Sequence, residues 1–212
     1  MLYYWMDGNL LLNIIFITMR KIAVFDFDGT IIRKDSLLEF IKFSKGEKAF
    51  LKGFLYYSPL LVAYKLGLYA NWKVKQKIFS YFFKGMKYEN FCQLGFDFKE
   101  EINNMVKDDQ IKKMTKHLEQ GDTVYIISAS IEEWILPWCH KFEGIRVLGT
   151  QIEVINGIIT GKFKTKNCYG QEKVNRFIEK EPKRDSYYLY AYGDSKGDKE
   201  MLAFADKSFL CK

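Results

Sequence analysis

Histidine is nearly missing from this 212-residue chain: His117 and His140 are the only two. That sets aside a zinc centre built on imidazoles and a Ser-His catalytic triad. His117 lies in a lysine-rich helical stretch and reads as a surface residue. His140, after Trp138 and Cys139, reads as a partly buried packing residue. Cysteine pairs are also missing. Cys92, Cys139, Cys168 and Cys211 are widely spaced with no Cys-x-x-Cys, the pattern of reduced thiols in a cytosolic protein. Arginine is confined to Arg20, Arg33, Arg146, Arg176 and Arg184, so lysine carries nearly all of the net charge of +7. Arginine is the usual reader of nucleic-acid phosphates and bases. Without it, and without a Lys/Arg block, zinc-finger spacing or helix-turn-helix pattern, no nucleic-acid partner is expected. The basic balance suits an anionic substrate or an anionic surface instead.

No apolar run is long enough to span a bilayer. Residues 10–19 are too short, and Asp7, Asn9 and Asn13 interrupt the longer stretch. A basic leader and a small-residue cleavage site are absent, which argues against a signal peptide. Met19-Arg20-Lys21 looks like a start just ahead of the first core strand. Residues 1–18 therefore read first as an upstream mis-called start, and alternatively as a strand or helix added at the domain edge.

What is present centres on Lys21-Ile-Ala-Val-Phe-Asp-Phe-Asp-Gly-Thr30. Residues 22–25 form a buried strand by their β-branched and aromatic content. The strand runs into Asp26 and Asp28, which a pleat places on one side, at the carboxyl edge where open α/β sheets bind ligands. Two like charges so close call for a cation or a shared proton. A divalent metal is expected, with one aspartate free to act as nucleophile or acid.

Helical character follows over residues 36–108, with Ser36 as N-cap and Glu39 completing a capping box. Ser58-Pro59 is expected to break or kink it, Gly67 and Asn71 to turn it, and residues 72–84 and 88–105 to form further helices. Strand–helix alternation resumes at residue 109. Helices are expected over 109–120, 131–141 (kinked at Pro137, with Ser130 as its N-cap), 171–180 and 199–205. Strands are expected over 123–127, 145–148, 187–192 and 208–211. Residues 154–164, centred on Asn156-Gly157, read as a β-hairpin. The pattern implies an α/β fold: a doubly wound, mostly parallel sheet with helices on both faces and a helical insert after its first strand.

Three later segments carry chemistry. Ser128 and the backbone N–H groups beside it end a buried strand, a place suited to a phosphoryl oxygen. Lys173 sits at the start of a helix, where the dipole disfavours a cation, which is consistent with a lysine that neutralises an anion. Gly193-Asp194-Ser195-Lys196-Gly197-Asp198 follows a buried strand and looks like a magnesium loop.

Taken in order, Asp-x-Asp-Gly-Thr, a strand-end Ser, a Lys and Gly-Asp-Ser-x-x-Asp resemble the haloacid dehalogenase (HAD) superfamily, over essentially residues 19–212. The helical insert most resembles the cap of the IB branch. The resemblance implies a Rossmann-like core of residues 19–35 and 109–212 with a C1-type cap over 36–108. It implies a phosphatase whose nucleophile is Asp26, forming an aspartyl-phosphate. Asp28 protonates the leaving oxygen and then activates water. Ser128, Ala129 and Lys173, with Gly29 and Thr30, hold the phosphoryl group. Mg2+ is bound by Asp26, Asp194 and the backbone carbonyl of Asp28, and Asp198 supports the site from behind.

Phosphoserine phosphatases of this branch carry a Glu where this chain has Asp35, and an arginine in the cap, where this chain has none between Arg33 and Arg146. Both departures weigh against phosphoserine. Residues 50–69 (FLKGFLYYSPLLVAYKLGLY) are unusually apolar and ringed by lysines, which suits an interfacial helix at anionic lipid; the plainer alternative makes Phe54, Leu55, Leu61 and Val62 the cap's own core. The segment, with Cys168 to Val174 and Asp194 to Asp198, also resembles the HAD-type phosphatidylglycerophosphatases. The expected substrates are therefore a lipid-linked phosphate, with peripheral contact at the inner membrane face, or a soluble phosphorylated metabolite. A HAD-fold binding protein without turnover is the alternative of another class.

Overall fold

A computed structural model describes residues 19–211, and the reading of residues 1–18 falls outside them. Five parallel strands form one sheet in the order β3-β2-β1-β6-β7. They are β1 (Arg20–Phe25), β2 (Thr123–Ile131), β3 (Arg146–Thr150), β6 (Tyr187–Gly193) and β7 (Lys207–Leu210). A short antiparallel hairpin, β4 (Ile152–Ile155) and β5 (Ile158–Phe163), completes the strands among the described residues. The chain builds outward from β1 to β2 and β3, then returns to the other side of β1 with β6 and β7. The crevice at that reversal is where such sheets bind ligands.

β1 is central because both of its faces are apolar. Ile22 and Val24 join Tyr125, Ile127, Leu189 and Ala191 in one cluster, under α8 (Gln171–Lys180), which contributes Val174 and Phe177. Ala23 and Phe25 face the other cluster, which continues into the helices between β1 and β2. These are α1 (Ser36–Lys45), α2 (Glu47–Lys65), α3 (Asn71–Phe83), α4 (Tyr88–Asp97) and α5 (Lys99–Met105); α6 (Asp108–Glu119) then leads into β2. Phe40 of α1 stacks on Trp134 at 4.6 Å, and Trp134 belongs to α7 (Glu132–Cys139), which follows β2. Phe83, Phe91 and Phe98 surround Phe40 with centroids 5.2–5.5 Å away. The helical insert is thus joined to the sheet layer by a continuous aromatic core.

Two further contacts fix it over the carboxyl edge of the sheet. Its entry and exit segments pair, Arg33 N to Met105 O and Lys107 N to Ile31 O, both at 2.9 Å. The hairpin bonds to the insert as well: Gly85 N to Ile159 O (2.8 Å), Ile159 N to Met86 O (2.9 Å) and Tyr88 N to Gly157 O (2.8 Å). The hairpin turn has Asn156 and Gly157 at φ 50° and 75°, the left-handed pair that a type I′ turn requires.

Several expectations are corrected. Pro59 lies inside an unbroken α2, because the Ser58 hydroxyl donates to the Leu55 carbonyl (2.8 Å) that the proline nitrogen cannot reach with a proton. The helix expected over 88–105 is two helices meeting at Phe98, whose buried ring is drawn against Phe40 and Phe43. The α1 N-cap is Asp35, accepting from Leu38 N at 3.2 Å, while Glu39 pairs with Lys34 and Lys42 rather than closing a capping box. Ser36 is instead fully buried and donates to Ser130 Oγ at 2.8 Å. Ser130 is no cap either: β2 continues to Ile131, which precedes α7. His117 is buried between Asp122 (2.7 Å) and the Tyr192 hydroxyl (2.9 Å), and His140 is the exposed one. The lysine-rich stretch around His117 is amphipathic, and the imidazole falls on its inner face.

Candidate active site

Asp26 continues β1, its N–H donating to Tyr192 O at 2.9 Å, so its side chain leaves the sheet at the carboxyl edge. Gly193 ends the neighbouring β6, which sets Asp194 beside it. On the other side of β1, the β2–β3 pairing slips between Ile127 and Ile131. That irregularity lets Ser128, Ala129 and Ser130 turn toward the same edge. The pleat, the bulge and the helix start at Lys173 therefore converge on one point.

A cavity of about 190 Å³ opens there, lined by Asp26, Asp28, Ser128, Ala129, Lys173, Asp194 and Asp198 among others. Lys173 Nζ is buried and donates to Asp26 Oδ1 at 2.5 Å and Asp198 Oδ1 at 2.6 Å. Burial alone would lower its pKa, but the two carboxylates outweigh that and hold the ammonium above the ordinary lysine range. Burial pushes the Asp26 carboxyl up, with Lys173 pulling against it and Asp198 and Asp28 adding to the rise. Asp28 is raised to about 6 by burial and by the Asp35 charge, with Lys75 opposing. Its carboxylate accepts from Ser36 N at 3.0 Å and from the Ser130 hydroxyl. Ser128 Oγ, also buried, accepts from Ser130 N at 3.1 Å, which fixes the bulge.

Asp26, Asp194 and Asp198 each present a carboxylate oxygen within 4.8 Å of the others. Three carboxylates against one buried ammonium leave an excess of negative charge, and hard oxygen donors suit Mg2+ or a similar cation. Asp198 is the most committed of them. Its Oδ1 serves Lys173, while Oδ2 accepts from Asp194 N (3.2 Å), Ser195 N (3.0 Å) and Ser195 Oγ (2.9 Å). It shapes the loop and positions Lys173, leaving Asp26 and Asp194 with the freer oxygens. Gly29 and Thr30 abut Asp194: Thr30 Oγ1 donates to Asp194 Oδ1 at 3.4 Å, and a Cβ on Gly29 would fall 2.6 Å from Asp194 Cγ. Gly29 also has φ 81°, so both its backbone and its surroundings require glycine.

The family model for haloacid dehalogenase-like hydrolases matches residues 23–203. The chain belongs to that family. Protein CicA of Caulobacter vibrioides is 30% identical over 188 residues, covering 88% of this chain and 83% of that protein. A Bordetella pertussis Tohama I protein of unknown function superposes with a TM-score of 0.77 at 18% identity, over 91% of this chain and 90% of its own. A phospho-aspartyl intermediate analogue of phosphoserine phosphatase superposes at 0.65 and 16% identity, over 91% and 87%. At those identities the two structures share a fold with this chain.

Within this HAD hydrolase, Asp35, Asn71, Lys75, Tyr169, Ser195 and Gly197 also line the cavity. Of these, Asp35 and the loop residues Ser195 and Gly197 stand out in the sequence, while Asn71, Lys75 and Tyr169 carry no site signal of their own. Asn71 and Lys75 come from α3, one helical turn apart, and their signal was lost among the insert's many lysines. Ser36 and Ser130 act on Asp28 from 8 and 102 residues away, a pairing that no local pattern announces.

Proposed function

We propose that this HAD hydrolase is a Mg2+-dependent phosphomonoesterase working through an aspartyl-phosphate on Asp26. The observation that carries the proposal is Lys173, buried between Asp26 and Asp198 in the lining of a cavity that Asp28 and Ser128 also line. Asp26 and Asp194 would hold the cation, together with the backbone carbonyl of Asp28. The cation would offset charge on the phosphoryl oxygens. Ser128, the N–H of Ala129 and Lys173 orient the same group. Asp26 attacks phosphorus and the P–O bond to the alcohol breaks, Asp28 giving its proton to the departing oxygen. Asp28 then takes a proton from water, whose oxygen attacks the phosphoryl-aspartate, releasing phosphate and restoring Asp26. Residues 36–108 act as a cap that closes this chemistry from solvent.

The favoured substrate is a lipid-linked phosphate. Leu51, Leu55, Tyr56 and Val62 of α2 are exposed, at 56–76%, beside Lys48, Lys52 and Lys65, while Phe54 and Leu61 pack inward. One face of α2 is cap core; the other suits peripheral contact with anionic lipid. Among the described residues no helix is long and apolar enough to cross a membrane. Phosphoserine or another soluble metabolite is the second reading, supported by the phosphoserine phosphatase neighbours. Against it, Asp35 caps α1, and the cap has no arginine for a substrate carboxylate.

Asp26→Asn tests the mechanism. Turnover of p-nitrophenyl phosphate should fall by several orders of magnitude with the fold intact, and the hydroxylamine-sensitive phosphoenzyme trapped from wild type should be absent. Activity within about tenfold of wild type would overturn the aspartyl-phosphate reading.

A further inference from the structure

A cavity of about 190 Å³ holds a phosphoryl group and few further atoms, so most of the alcohol must lie elsewhere. A second cavity of about 730 Å³ opens beside it, and Asn71 and Tyr169 line both. One helix faces the two spaces with adjacent rows. Asn71 and Lys75 reach the phosphoryl cavity, while Trp72 and Gln76 line the larger groove. The opposite wall is the segment from Phe163 to Asn167, with Tyr169 at the junction.

The groove has aromatic walls, and several of its acceptor oxygens are committed. Trp72 and Tyr169 are 44% and 42% exposed, and Phe163 is held against Phe79 at 5.6 Å. Gln76 Oε1 accepts from Phe163 N (3.0 Å) and Thr165 Oγ1 from Gln151 N (3.1 Å). Asn167 Oδ1 accepts from Thr150 Oγ1 (3.5 Å), and Glu172 pairs with Arg176 at 3.2 Å. A small polar alcohol would find most acceptor oxygens here already engaged. An aliphatic chain would cover three aromatic rings and the stems of Lys164 and Lys166.

We infer that this groove is the leaving-group subsite, and that it takes a phosphomonoester whose alcohol carries an aliphatic chain. Trp72, Phe163 and Tyr169 are then the residues that set specificity. The inference rests on the phosphatase reading, and its test separates the two. With Mg2+, kcat/KM for ethyl, butyl and octyl phosphate, all below micelle formation, should rise about two- to fourfold per added methylene. The octyl-to-ethyl ratio, taken within each variant so that a general loss of activity cancels, should fall at least tenfold in Trp72→Ala and be largely kept in Trp72→Phe. Calorimetry with ethyl- and octylphosphonate, which cannot turn over, should show the same chain-length dependence in affinity. A ratio near one in wild type, or one that Trp72→Ala leaves unchanged, overturns the subsite. No hydrolysis of any ester, with chain-length-dependent phosphonate binding retained, overturns the phosphatase reading and supports the groove. Flat phosphonate binding overturns the groove whatever the turnover.

Discussion

Replacing Glu133 by Gln should change how stability depends on pH, and the size of the change follows from where Glu133 lies. Its Oε1 accepts from the Tyr88 hydroxyl at 3.2 Å across the contact between α4 and α7, and its buried Oε2 has no protein partner among the described residues. Burial pushes its carboxyl from 4.5 to about 7, with the Tyr88 bond pulling the other way and Glu132 adding to the rise. The native protein therefore holds this proton more tightly than the unfolded chain. The stabilisation is fully present below about pH 4.5 and is lost as pH rises through about 7. Each pH unit of difference is worth about 1.4 kcal/mol, so allowing for partial solvation the swing is about 2–3 kcal/mol. Gln mimics the neutral acid at every pH. Glu133→Gln should match wild type near pH 4.5 and exceed it by about 2–3 kcal/mol at pH 8. In a chain of this size that is a Tm difference of about 4–12 °C. Thermal melts of both proteins from pH 4.5 to 8 measure it. A Tm difference that does not vary with pH would refute the reasoning, because it would mean that Glu133 titrates alike in the folded and unfolded states.

Gly29→Ala should cost about 1–2 kcal/mol in backbone strain and weaken Mg2+ at least tenfold in a metal titration, since its Cβ displaces Asp194; unchanged Mg2+ affinity would remove Asp194 from the cation site. Lys173→Met should lower stability by about 3–5 kcal/mol in urea unfolding and abolish turnover, because Asp26 and Asp198 are left buried without their partner. Tyr56→Ser should reduce co-sedimentation with anionic vesicles at low salt with only a small fall in Tm, because Tyr56 is 70% exposed and loses its ring contacts to Tyr57 and Tyr81; wild-type protein that ignores such vesicles would end the membrane reading.

The order of the elements, the strand-end positions of Asp26 and Asp194, and the Asn156-Gly157 hairpin were legible in the sequence because each depends on local pattern. A β-branched run, an Asp-x-Asp spacing and a dipeptide that tolerates positive φ are statements about neighbours along the chain. Pro59 misled for the same reason. Proline usually breaks a helix, and only the Ser58 hydroxyl turned toward the Leu55 carbonyl shows why this one does not. His117 misled because charge around a residue says nothing about which face of its helix meets the sheet, and here that face meets Tyr192.

What only the tertiary structure decided is the pairing of distant groups. Residue types already implied that Lys173 is cationic and Asp198 anionic, but the two become a buried bridge with Asp26 only when α8 and the loop after β6 close over β1. Ser36 and Ser130 reach Asp28 because the entry to the helical insert packs against the β2 bulge. The larger groove exists only where α3 lies opposite the end of β5 and the segment that follows it. Local backbone preference is written over a few residues, and the sequence alone determined most of the elements and which residue types end the strands at the sheet edge. Cavities, buried charge pairs and the division of α2 into a packed face and an exposed face arise from long-range packing, whose free energy depends on which surfaces meet.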